Sequence, residues 1–200
     1  MKIILDPLPT AIFVVVLLCW LTFAAIVIFR KKPPASATVE RRRERASLIG
    51  ILLQGFGYAF IWAVHREYFS TIAPLSKPLE IALAVLTVAL SIASVWLVVA
   101  SVKTLGKQWS FAARVVEGHK LVTEGPYNFV RNPIYTGMLG MLISTGLAVS
   151  HWLGLVLGLI VFTAGTLIRI HSEEKLLREE FGQEFDIYAR RTSAIIPGIY

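Results

Sequence analysis

Residues 134–168 read IYTGMLGMLISTGLAVSHWLGLVLGLIVFTAGTLI, thirty-five residues without a formal charge if His151 is counted as neutral. As one straight helix this stretch would be about 52 Å long, against roughly 30 Å for the hydrocarbon core of a bilayer. It has to turn back on itself, and Ser150-His151-Trp152 is the only polar break near its middle. The stretch therefore reads as two membrane spans, about 134–150 and 152–170, joined by a very tight turn.

Working outward, three more runs have the length of a span. Ala11 to Phe29 has no charge, Ala46 to Val64 has Gln54 as its only strongly polar member, and Ile81 to Val102 is the third. Composition agrees, with 56% of residues hydrophobic and 16% charged, where an ordinary globular domain carries about 25% charged residues. A soluble core in a chain of 200 residues could not hide that much apolar surface. The expected fold is all-α: a polytopic membrane protein of five transmembrane helices. Spans four and five form a tight helical hairpin, followed by a cytoplasmic C-terminal amphipathic helix. The first run is expected to be retained rather than cleaved, because its apolar stretch is too long for a signal peptide and its basic flank follows it.

Five spans put the termini on opposite faces, and the basic residues choose the sense. The blocks Arg30–Lys32, Arg41–Arg45, Lys103 to Arg131 and Arg169 to Arg191 fall on one side, while Lys2, Arg66 and Lys77 fall on the other. Positive charge marks the cytoplasmic side, so the N-terminus is expected outside and the C-terminus in the cytoplasm. The formal charge of +7 lies in blocks beside apolar runs, which fits contact with membrane lipid headgroups rather than nucleic acid. The single cysteine, Cys19, excludes an internal disulfide and any multi-cysteine metal site.

The chain divides into residues 1–102, three spans with a basic loop, and residues 103–200. Segment 103–133 is too polar to span and too aromatic, with Trp109, Phe111, Tyr127 and Phe129, for a passive linker. After the last span, Leu177, Phe181, Phe185 and Tyr188 recur at helical spacing within Ser172 to Arg191, giving one apolar stripe. Gly182 weakens that helix by about 1 kcal/mol relative to alanine. The stripe suits either a helix lying on headgroups or a lid over a site built from the 103–133 loop.

Among groups able to do chemistry, Arg169, His171, Glu173 and Glu174 cluster where the last span ends. Ionisable groups at that depth are costly unless they face a cavity or each other, and Arg169 and Glu173 are one helical turn apart. There is no GxGxxG, no phosphate-binding P-loop and no HExxH. His65, His119, His151 and His171 have no metal-ligand spacing, and no metal site is expected.

The segment Leu121-Val122-Thr123-Glu124-Gly125-Pro126-Tyr127-Asn128-Phe129-Val130-Arg131-Asn132-Pro133-Ile134-Tyr135-Thr136-Gly137 resembles the LVTxGPYxxVRHPxYxG signature of isoprenylcysteine carboxyl methyltransferases and their bacterial and archaeal relatives. Arg169, Glu173, Glu174, Phe181-Gly182-Gln183-Glu184-Phe185, Tyr188, Arg191 and Ile196-Pro197 are similar to the ending of that family. The resemblance covers about residues 100–200, and the first two spans carry no signature. It implies an integral membrane methyltransferase whose catalytic region is 103–200, using S-adenosylmethionine from the cytosol. The methyl acceptor, a lipophilic small molecule or lipidated compound with a prenylcysteine-like carboxylate, would come from the bilayer. Matched to the family, His119, Lys120, Leu121, Val122, Tyr127, Asn132, Pro133, Ile134, Tyr135 and Glu173 fall on cofactor-binding positions. Arg169 falls on the substrate position and is the expected catalytic residue.

The chemistry of those residue types agrees. Glu173 suits the cofactor's ammonium through a charge-assisted hydrogen bond, and Tyr127 or Tyr135 can cover apolar or cationic surface. Pro133 starts the fourth helix at the position proline tolerates best. A carboxylate acceptor is already nucleophilic at neutral pH, which leaves Arg169 to orient it. One position departs: Asn132 stands where the family commonly has histidine. The resulting NPxY also occurs in phospholipid N-methyltransferases, which makes phosphatidylethanolamine the alternative acceptor. An NADPH-dependent sterol-type reductase, or a scaffold held by a Gly154–Gly158 helix contact, are the rival classes.

Overall fold

In lipid a backbone has no water to bond, so each apolar run has to close its own hydrogen bonds as a helix. The computed structural model describes residues 6–29, 40–43, 46–67, 70, 72, 75–106, 109, 114–116 and 120–198. Six α-helices are present among these: α1 Pro7–Ile28, α2 Ala46–Ala63, α3 Lys77–Leu105, α4 Pro133–Val149, α5 Trp152–Phe181 and α6 Gln183–Arg191. A 3-10 turn covers Gly125–Asn128, and one antiparallel ribbon pairs β1 Glu40–Arg43 with β2 Arg114–Val116. Four helices, α1, α2, α3 and α5, are long and apolar enough to cross a membrane. The chain is an integral membrane protein. The 17 residues of α4 extend about 26 Å, slightly short of the core thickness.

Helix starts follow local chemistry. Asp6 accepts the Leu8 N–H at 3.2 Å ahead of Pro7, and Pro133 opens α4 where its missing N–H has no partner to lose. Between α4 and α5 lie only Ser150 and His151, whose Nδ1 accepts the Leu153 N–H at 3.3 Å. Joined so closely, these two helices nevertheless pack more extensively on others, α4 on α3 and α5 on α2.

Glycines explain the α2–α5 seam. A Cβ at Gly50 would stand 2.6 Å from the Gly165 carbonyl oxygen, and one at Gly165 would stand 2.7 Å from the Gly50 oxygen. Gly158 meets the Gly57 oxygen in the same way at 2.9 Å. With no driving force for hydrophobic association in lipid, backbone-to-backbone approach of this kind is what holds helices together. Val16, Ile61, Leu142 and Phe162 fill the centre of the bundle.

One boundary differs from the sequence reading. Instead of a separate amphipathic helix over Ser172–Arg191, α5 runs unbroken to Phe181, about 45 Å, and stops at Gly182. There φ is +51°, a conformation only glycine adopts cheaply. The Gly182 N–H closes the helix on the Arg178 carbonyl at 2.9 Å, and Arg178 Nε reaches across the break to Asp186 Oδ1 at 2.8 Å. The glycine therefore redirects the chain rather than merely weakening a helix, and α6 is only the last part of the expected stripe.

Candidate functional site

A cavity of about 400 Å³ opens between the end of α5 and the start of α4 and continues into the apolar interior. Lys120, Leu121, Val122, Tyr127, Asn132, Pro133, Ile134, Tyr135, Arg169 and Glu173 all line it. His119 lies outside the described residues. Two sequence segments more than thirty residues apart are thus brought to one wall, because α4 and α5 return the chain to the level from which it entered. Arg131, Glu174 and Lys120 line the polar end, while Trp20, Phe23, Ile26, Ile51 and Met138 line the apolar one. His171 is exposed and does not line the cavity.

Arg169 is buried at 5% exposure. Its Nη1 donates to Gln54 Oε1 at 2.9 Å, its guanidinium lies over the Tyr135 ring at 4.9 Å, and its Nη2 is 3.7 Å from Glu173 Oε1. The Tyr135 hydroxyl donates to the same Glu173 oxygen. A buried cation is tolerable only when its charge is opposed and hydrogen-bonded, and here groups on three helices contribute to that. Cation–π contact with Tyr135 adds to the electrostatics when water is excluded.

Beside this group, Glu174 accepts from Arg131 Nε at 2.9 Å and lies 3.4 Å from Asn132 Nδ2. Arg131 also donates to the carbonyls of Ala189 and Thr192. The C-terminal strand of chain is laced to the start of α4: Arg131 N–H to Ser193 O at 2.8 Å, Asn132 N–H to Ala194 O at 3.0 Å, and Thr136 Oγ1 to Ile195 O at 2.7 Å. Asn132 Nδ2 donates to Ala194 O at 3.1 Å, so its side chain ties the tail down as well as lining the cavity. The apolar stripe closes the remaining side, with Phe185 fully buried and Leu177 and Tyr188 lining the cavity. Tyr188 donates to Tyr127 O at 2.6 Å. Burial first, then the neighbouring Glu173, pushes the Tyr127 hydroxyl well above its usual range. Burial pushes Tyr188 up to about 12, against the opposing pull of Arg131. Both phenols stay neutral donors across the physiological range.

Sequence reasoning did not assign Gln54, Arg131, Glu174 or the aromatic wall of α1 and α2. Gln54 carried a usable signal as the one strongly polar side chain in its span, since such groups in lipid face a cavity or a partner. Trp20 and Tyr58 carried none: an aromatic in a span looks the same whether it faces lipid, core or ligand.

Residues 82–184 match the family model described as phospholipid methyltransferase. The chain belongs to this family. Over 101 residues it is 32% identical to a probable protein-S-isoprenylcysteine O-methyltransferase of Oryza sativa subsp. indica, covering 50% of this chain and 53% of the relative. Protein-S-isoprenylcysteine O-methyltransferase B of Arabidopsis thaliana is 30% identical over 96 residues, covering 47% and 49%. The nickel-cobalt-cadmium resistance protein NccN of Alcaligenes xylosoxydans xylosoxydans is 38% identical over 98 residues, covering 47% and 44%. The chain thus spans about half the length of the curated relatives it matches. Among the described residues of this family member, no group of three His, Cys, Asp or Glu side chains stands close enough to hold a metal ion.

The donor set fits the methyl donor of such a family. S-adenosylmethionine carries an ammonium, a carboxylate, a sulfonium and an adenine. The polar end offers the Glu173 carboxylate for the ammonium and Lys120 for the carboxylate. The aromatic faces of Tyr127 and Tyr135 are suited to positive or flat surface.

Proposed function

We propose that the chain is a membrane methyltransferase that takes its methyl group from S-adenosylmethionine at the polar end of the cavity. The acceptor is a lipophilic compound with a prenylcysteine-like carboxylate, lodged at the apolar end. The observation that carries this reading is a single cavity whose lining joins charged groups, Lys120, Arg131, Glu173 and Glu174, to an apolar wall from α1 and α2, with Arg169 in contact with both Gln54 of α2 and Glu173. When bound, the cofactor would supply an electrophilic methyl on a cationic sulfur that leaves as a neutral thioether, so a carboxylate acceptor would need no proton removed. Residues 120–122, Tyr127, Pro133, Ile134, Tyr135 and Glu173 would hold the cofactor. Arg169 would orient the carboxylate through its planar fork, and the surrounding apolar wall would exclude water and strengthen that interaction. Burial, not a general base, is then the main device.

The topology proposed with it has five spans. Helices α1, α3 and α5 cross from outside to cytoplasm and α2 and α4 cross back, with α4 short enough to be completed by its flanks. The N-terminus is outside and the C-terminus inside, in keeping with the basic blocks. In a protein with Cys19→Ser, single cysteines at positions 76 and 193 should react with impermeant reagent from opposite faces. Reaction from the same face would overturn the topology.

Purified protein in lipid nanodiscs should bind S-adenosylmethionine by calorimetry and methylate an S-farnesylcysteine derivative. Glu173→Gln should weaken cofactor binding by roughly 1.5–3 kcal/mol, the worth of a hydrogen bond to a charged group. Arg169→Lys should keep cofactor affinity and lose turnover, since a lysine lacks the fork. A phosphatidylethanolamine acceptor is favoured by the phospholipid methyltransferase description of the matching family and by Asn132 in place of histidine. Transfer to that amine lipid alone would move the assignment there.

A further inference from the structure

Helix α2 bears no likeness to the family signature, and the family match begins only at residue 82. It nevertheless contributes the amide that holds Arg169. Gln54 is buried at 3% exposure and lines the cavity. Its Oε1 accepts from Arg169 Nη1 at 2.9 Å, and its Nε2 donates to Thr166 Oγ1 at 2.9 Å. The orientation of the amide is settled by chemistry: a guanidinium only donates, so the atom facing it has to be oxygen. Thr166 and Arg169 stand one turn apart on α5, so the amide bridges them as a two-point brace.

That brace depends on the seam described above. One turn before Gln54 is Gly50, whose missing Cβ lets α2 lie against Gly165 and the Arg169 side chain. The close approach brings a glutamine, whose reach is short, to a guanidinium on the neighbouring helix. Tyr135 supports the guanidinium plane and Glu173 opposes its charge, while the Gln54 oxygen takes Nη1. A long arginine side chain has many rotamers, and orienting an acceptor requires one of them.

We propose that Gln54 is a positioning residue for methyl transfer: it sets the rotamer of Arg169, and through it the acceptor carboxylate, so that α2 belongs to the active site. The inference rests on the acceptor role given to Arg169 under the proposed function.

The test uses full-length protein in nanodiscs, Gln54→Met and Gln54→Glu, and an S-farnesylcysteine derivative as acceptor. Methionine has nearly the same shape and suits an apolar surrounding, but offers no oxygen to Arg169. Glutamate keeps that oxygen, and the Thr166 hydroxyl can turn round to donate to it. If Gln54 positions Arg169, kcat falls at least tenfold in Gln54→Met and stays within about threefold in Gln54→Glu. The added negative charge in Gln54→Glu raises KM for the anionic acceptor. Calorimetric affinity for S-adenosylmethionine stays within twofold in both. A packing role ranks the variants the other way, because a buried glutamate disrupts a membrane core more than a methionine does. Unchanged kcat in Gln54→Met, or a larger loss in Gln54→Glu, would overturn the inference while leaving the proposed function intact. Absence of transfer by the unsubstituted protein would overturn both.

Discussion

Helix α4 is held at each end by an arginine, and the two ends are built differently. At the end near Ser150, Arg66 donates, among the described residues, to backbone carbonyls: Ser70 O from Nε at 2.9 Å, Ser150 O from Nη1 at 2.6 Å, and Leu147 O and Ala148 O from Nη2 at 2.8 and 2.7 Å. These include carbonyls of the last turn of α4, which have no partner within their own helix, and the helix dipole there favours a cation. Backbone bonds from Arg66 N–H to Val149 O at 3.1 Å and from His151 N–H to Val64 O at 2.8 Å complete the clasp. Burial pulls the Arg66 guanidinium down to about 10, still charged at neutral pH. At the other end, Arg131 divides its donors between carbonyls and the Glu174 carboxylate, and it lines the cavity. The first end makes structure alone, whereas the second end makes structure and site from the same atoms.

The largest effect should come from the purely structural end. Arg66→Met would leave the carbonyls of Leu147, Ala148 and Ser150 without their donor in a half-buried place. A loss of about 3 kcal/mol is expected, the upper end for hydrogen bonds to a charged group, read as denaturant unfolding in detergent. Cofactor affinity of the folded fraction should stay unchanged, because no atom of this clasp touches the cavity described above. Arg131→Met sharpens the contrast. It should lose less stability, since backbone bonds from Arg131 and Asn132 still hold residues 193 and 194, yet it should weaken cofactor binding by freeing Glu174. If Arg66→Met altered cofactor affinity as strongly as Arg131→Met, the two ends would not be separate devices.

How much of this the sequence carried follows the same division. The apolar runs announced helices because a run of about twenty apolar residues satisfies its own backbone in lipid as a helix, and the two motifs contained most of the charged residues of the polar wall without showing how they pair. Arg66 was legible only as one of three basic residues on the sparse side, and nothing in a linear reading connects it to carbonyls more than eighty positions away. Gln54 was visible as a lone polar group in an apolar span, but its contact with Arg169 depends on glycines at 50 and 165 allowing two backbones to touch. The break at Gly182 was read as a small loss of helix propensity. Propensity scales assign a glycine its cost inside a helix, whereas here its positive φ ends one helix and starts another.

The smallest expected effect probes the shared end through Asn132. Its side chain donates to Ala194 O and approaches Glu174, two groups on different segments. A neutral histidine has one N–H where the amide has two, so Asn132→His keeps one of these bonds and gives up the other. The tail does not depend on it, because the Asn132 backbone N–H and the Thr136 hydroxyl hold residues 194 and 195 independently. Glu174 likewise keeps its closer bond from Arg131. Cofactor affinity in Asn132→His should therefore stay within about tenfold of the unsubstituted protein, or 1.4 kcal/mol. The check is a calorimetric titration with S-adenosylmethionine beside a denaturant curve for the same sample. A loss of binding beyond a hundredfold with stability intact would mean that the asparagine side chain meets the cofactor directly rather than tying down residues 193–195. The Arg131 end would then be more site than structure.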